Sequence, residues 1–94
     1  MKWLEVIKFQ FAGKHRSNFK LNQLIPMIKQ AQTEYQLPIL LFKNAVIKND
    51  LSIHIIHDTD PSLAIKSPLS IPFRSMFSEF GLVSYSRWTN EIDK

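Results

Sequence analysis

The sequence predicts an α+β fold in which a four-stranded antiparallel sheet carries two helices on one face, with elements in the order strand, helix, strand, strand, helix, strand. Three observations lead there. Apolar residues alternate with a period of two over 3–11, 39–47, 51–58 and 82–89, as strands require. Between them, 21–35 and 69–80 carry apolar residues spaced by three and four, the stripe of a helix packed on one side. Glycine, proline and short polar clusters separate these segments. Ninety-four residues, 45% of them hydrophobic, suffice for one core, so a single domain over 1–94 is expected.

The first strand places Trp3, Ile7, Phe9 and Phe11 on one side, with Glu5 intruding among them, and Leu4 and Val6 on the other. Apolar groups on both sides suggest a central strand. Gly13 ends it. The first helix buries Leu21, Leu24, Ile25, Ile28, Ala31 and Tyr35, with Asn22 as the expected N-cap and Pro26 as an awkward residue that delays or kinks the start. Gln36-Leu37-Pro38 stops it, because the residue before a proline is pushed away from helical torsions.

A hairpin follows, its apolar runs 40–47 and 51–58 flanking the polar tripeptide Lys48-Asn49-Asp50. On its second strand Leu51, Ile53, Ile55 and His57 point one way, while Ser52, His54, Ile56 and Asp58 point the other. The two imidazoles therefore face opposite sides and do not converge on one metal ion, and no metal site is expected. The loop 58–70 is rich in Asp, Ser, Thr and Pro. The second helix has Ser70 as N-cap, Pro72 where its missing donor is harmless, and a stripe of Leu69, Phe73, Met76, Phe77 and Phe80. Gly81 is expected to cap it, and the last strand alternates Val83, Tyr85 and Arg87 with Leu82, Ser84, Ser86 and Trp88.

The chain has no cysteine, which excludes disulfides, thiolate metal sites and cysteine nucleophiles and fits a reducing, cytoplasmic setting. No apolar run approaches the roughly 20 residues that cross a bilayer. The net charge of +4 and a pI near 9.6 suit an anionic partner, yet the charges are scattered. Their one dense group, Lys14-His15-Arg16, precedes the first helix and is a candidate anion site, although it has only Gly13 beside it and no repeated glycines. Nucleic-acid binding through the sheet is disfavoured because the third strand offers Ile53, His54 and Ile55 in place of stacking aromatics.

Candidate catalytic residues are His57, at a strand end with Asp58 and Asp60 following; His54, on the other side of the same strand; and Arg87, placed beside Trp88 to close over an anionic group. Adjacent strand residues diverge, so Asp58 is a poor orienter for His57. A histidine hydrogen-bonded at a sheet surface is the plainer account of His54.

This element order is that of ferredoxin-like proteins. With its apolar sheet faces and the closing segment Ser84-Tyr85-Ser86-Arg87-Trp88, the chain resembles their dimeric α/β-barrel group, which includes the antibiotic-biosynthesis-monooxygenase-like and stress-responsive barrel families. The resemblance implies a pocket between sheet and helices, while the apolar residues on both sheet faces themselves predict a homodimer through the open sheet face. Members include haem-degrading enzymes, cofactor-free oxygenases and proteins without known chemistry, so no cofactor follows from it, and no motif transfers catalytic residues. Two functions remain: a small dimeric module binding a small ligand or protein partner, which is preferred, and a small oxygenase-like enzyme using His54, His57 or Arg87.

Overall fold

The computed structural model describes residues 3–11, 21–47, 50–59, 70–78 and 81–92. It contains β1 (Trp3–Phe11), α1 (Leu21–Tyr35), β2 (Ile39–Lys43), β3 (Asp50–His57), α2 (Ser70–Ser78) and β4 (Gly81–Thr89). The strands form one sheet in the order β2-β3-β1-β4, every neighbouring pair antiparallel. This is the ferredoxin-like α+β arrangement, with β1 and β3 at the centre.

Register sorts the side chains. Ile7 lies opposite Ile53 and Tyr85, Phe9 opposite Leu51 and Val83, and Ile39 opposite Ile55, all on one face. That face joins Leu24, Ile28 and Ala31 of α1 and Phe73 of α2 in a single cluster. Removing a branched aliphatic side chain such as Ile53 from water contributes about 1.5–3 kcal/mol, so this cluster outweighs local preferences that point elsewhere.

Pro26 shows that outcome. α1 runs unbroken from Leu21, so Asn22 lies inside the helix and is not its N-cap. Proline at this depth forfeits one hydrogen bond, but the buried Leu24, Ile28 and Ala31 keep the turn docked on the sheet. The helix stops where expected, with Gln36 in the left-handed region at φ 54°. Gln32 donates from Nε2 to the carbonyl of Ile39 at 2.6 Å, tying α1 to the edge strand β2.

The hairpin differs from expectation. β2 ends at Lys43, so 44–47 belong to a longer turn. Asn44 Oδ1 accepts from the amides of Val46 and Ile47 at 2.8 and 3.0 Å, and the Asn44 amide donates to the Asp50 carbonyl at 2.9 Å. A short side-chain acceptor competing for backbone donors ends the ladder before the apolar pattern does. At the other end of α2, Gly81 pairs with Phe11 and begins β4, so it is a strand residue and not a helix cap. Residues 60–69, most of the loop 58–70, lie outside the described residues.

Candidate functional site

Glu5, the residue that interrupts the apolar side of β1, organises a polar cluster on the helix-covered face. Antiparallel pairing puts Arg87 directly opposite it on β4, and Trp3, two pairs along, opposite His57 on β3. Glu5 is fully buried, Trp3 almost so, and His57 is 8% exposed. His57 Nε2 meets Glu5 Oε1 at 2.5 Å, and Tyr85 donates its hydroxyl to Glu5 Oε2 at 2.6 Å. Arg87 Nε donates to the Tyr85 oxygen at 2.9 Å. Both carboxylate oxygens thus have a donor, the condition for keeping such a group out of water.

Aromatic faces complete the cluster. Trp3 stacks on the His57 ring with centroids 4.1 Å apart and planes 13° from parallel, and its indole donates to Thr59 Oγ1 at 3.3 Å. The Arg87 guanidinium lies over both the Trp3 and Tyr85 rings, at 5.6 and 5.8 Å. From α2, the Arg74 guanidinium lies 4.8 Å from the Tyr85 centroid. Burial pushes the Tyr85 phenol above its ordinary 10.0, and the hydrogen bond to Glu5 pushes it the same way against the opposing effect of Arg87. The phenol is therefore a donor throughout the neutral range.

This arrangement can hold a histidine base. If Nε2 carries the proton given to Glu5, the imidazole lone pair is on Nδ1, oriented by a carboxylate as in other histidine bases. Two guanidiniums around Tyr85 add positive potential between sheet and α2.

The structure brings His57 and Arg87 together, through Glu5 and Tyr85, and leaves His54 apart. His54 lies on the open face, where its Nε2 is 3.2 Å from Ser52 Oγ and its ring tilts against Phe42 at 4.8 Å. Burial, and then the nearby Lys8 charge, lowers its pKa from 6.5. Lys14, His15 and Arg16 lie outside the described residues, as does Asp60. Among the described residues no group of three or more His, Cys, Asp or Glu could hold a metal ion.

Sequence reasoning missed Glu5, Tyr85 and Trp3 as site residues. One signal was present: an acid on the core-facing parity of a central strand needs a donor from a neighbouring strand. That donor is His57, whose partner is not the adjacent Asp58 but this carboxylate 52 residues away in sequence. A separate cleft of about 470 Å3 opens at the opposite end of the sheet, lined among others by Lys8, Gln10, Phe42, Asp50, Ser52 and Leu82.

No family model matches the sequence, and no curated protein matches it significantly. Solved structures do. Rv0793 from Mycobacterium tuberculosis superposes with a TM-score of 0.68 at 18% identity, covering 96% of this chain and 95% of that one. A conserved protein of unknown function from Bacteroides thetaiotaomicron, described as a possible oxidoreductase, gives 0.67 at 9% identity over 93% and 95%. A variant of SnoaB, a cofactor-independent oxygenase from Streptomyces nogalater, gives 0.60 at 11% identity over 96% and 93%. At these identities the likeness is one of fold.

Proposed function

We propose that the chain is a small oxygenase-type enzyme whose reacting groups lie between the sheet and α2, at the Glu5, His57, Tyr85 and Arg87 cluster. The observation that carries this reading is the fully buried Glu5 carboxylate holding an imidazole on one oxygen and a phenol on the other. The similarity of fold to a cofactor-independent oxygenase and a possible oxidoreductase supports the reaction class.

In this reading His57 Nδ1 removes a proton from a CH2 made acidic by a neighbouring aryl or carbonyl group. Arg87 and Arg74 stabilise the resulting anion, and Tyr85 stays protonated to hold Glu5 and hence the imidazole in place. The anion is itself the reductant: it adds O2 to give a hydroperoxide, which loses water to leave a carbonyl, so the CH2 and one O2 become C=O and H2O. The preference for a binding module without chemistry gives way here because the polar groups converge on Glu5, the acid that intrudes on the apolar side of β1.

The assembly proposed with it is a homodimer through one half of the open face, where Leu4, Val6, Leu40, Ile56 and Trp88 gather; Leu40 and Trp88 are 43% and 57% exposed. Sedimentation equilibrium reads twice the 11.0 kDa chain mass if this holds, and the single-chain mass if it does not.

Oxygen consumption by the purified protein with a panel of carbon acids, each with a CH2 beside an aryl or carbonyl group, tests the enzyme. We expect uptake matched by carbonyl product, and a loss of about 10²-fold or more in His57→Gln, the usual contribution of a general base. No uptake across the panel, or uptake unchanged in that variant, refutes the proposal.

A further inference from the structure

The open face is divided along the strands. Near the start of β1 its cross-strand rows are Ile56, Leu4 and Trp88, and then Leu40, His54, Val6 and Ser86. Toward the end of β1 they become polar: Phe42, Ser52, Lys8 and Ser84 in one row, then Asp50, Gln10 and Leu82. These last two rows line the cleft of about 470 Å3, a volume within the range of small-molecule sites.

The chemistry of the rows is specific. Lys8 has a serine directly opposite on each flanking strand, so one ammonium and two hydroxyls face the same space. Among the described residues Lys8 has no carboxylate within ion-pair distance. Phe42 and Leu82, 47% and 73% exposed, supply apolar surface at opposite edges. Asp50 has one oxygen 3.5 Å from Asn44 Nδ2, while its Oδ1 is shielded from solvent and has no hydrogen-bond partner among the described residues. Rows two residues apart along a strand are separated by roughly 7 Å.

We propose that this cleft binds a small aromatic carboxylate bearing a hydroxyl across the ring, its carboxylate on Lys8 between Ser52 and Ser84, its ring against Phe42, and its hydroxyl given to Asp50. The roughly 7 Å between rows matches a ring with substituents at opposite ends. The Asp50 carboxylate turns into the cleft to accept, which gives its unmet oxygen a donor. The site is on the opposite face from Glu5 and His57 and does not depend on the reaction proposed there. It occupies the two rows next to the apolar ones assigned to subunit contact.

Titration of the full-length protein with 4-hydroxybenzoate, followed by backbone amide NMR shifts, tests the site. Shifts are expected at Lys8, Ser52, Phe42 and Ser84, with affinity about tenfold weaker in Lys8→Gln and largely restored in Lys8→Arg, as for loss and return of a charge-assisted hydrogen bond. Benzoate is expected to bind more weakly than 4-hydroxybenzoate in the native chain and equally in Asp50→Ala. Binding unaffected by Lys8→Gln, shifts confined to the Glu5 and His57 side, or no shifts at all overturn the proposal. Phenol or inorganic phosphate binding as tightly as the probe also overturns it. A dispersed amide spectrum for each variant shows that it has folded. Retention of the probe by His57→Gln separates this result from any failure of the enzymatic reading.

Discussion

Glu5 and Lys8 stand three residues apart on the same central strand and meet opposite environments. Glu5 points to the helix side, where it is fully buried and both its oxygens are hydrogen-bonded. Lys8 points to the open side, where it is exposed and lines a cleft. Odd spacing along a strand reverses the face, so a single strand supplies one closed polar cluster and one open one. The closed cluster makes structure and chemistry hard to separate, because each member holds another. The open cluster leaves its charges available to a ligand.

Removal of each charge should expose this difference most strongly. Glu5→Ala strips the acceptor from a buried imidazole and a phenol together, and each shielded donor left unmet costs about 1–3 kcal/mol. Lys8→Ala should stay within about 0.5 kcal/mol, as for other exposed positions. Urea denaturation of both variants measures the contrast, and equal losses would break it.

Much of this division was visible in the chain before folding. The period-two pattern of β1 and β3 already placed His54 and His57 on different faces, and the same parity put Glu5 on the apolar side. The identity of Glu5's partners was not visible, because it depends on which strands become neighbours and in what register. β1 pairs with strands some fifty and eighty residues downstream, and the Glu5 bonds to His57 and Tyr85 span 52 and 80 residues. No local pattern encodes those bonds. The boundaries that went astray were local conflicts settled by geometry: Asn44 captures amides that the apolar run 44–47 would have put into a ladder, and Pro26 is tolerated because its helix is docked. Apolarity identified the strands better than it located their ends.

A smaller effect sharpens the internal order of the closed cluster. Tyr85→Phe removes one donor from Glu5 and the acceptor used by Arg87, and a hydrogen bond to a charged group contributes about 1.5–3 kcal/mol when fully shielded. Tyr85 is only partly buried, so we expect the lower end. In the native chain the Tyr85 phenol ionises above 10.0, because burial and Glu5 both oppose its negative form. Above that unfolded value the unfolded chain releases its proton first, so Tyr85 contributes stability that falls as pH rises from 10 toward the folded pKa. Ultraviolet titration of native protein against Tyr85→Phe isolates this phenol, and ionisation at or below 10 would contradict the closed character of the cluster.

The weakest effect is expected at His54, beside the open cluster, and it has the opposite sign. Burial and the Lys8 charge disfavour the imidazolium, so the folded pKa lies below 6.5. As pH falls below 6.5 the unfolded chain binds a proton that the native chain still refuses; stability present above 6.5 is therefore lost progressively down through the folded pKa. Lys8→Gln removes the second cause and leaves the first, so the His54 midpoint should rise toward 6.5 without reaching it. Proton NMR of the imidazole resonances reads this directly. If the midpoint does not move, Lys8 is too well screened to act on its neighbour, and the open face carries no local field to attract an anion. If it moves while the His57 resonances stay fixed, the two imidazoles of β3 are electrostatically separate as well as on opposite faces.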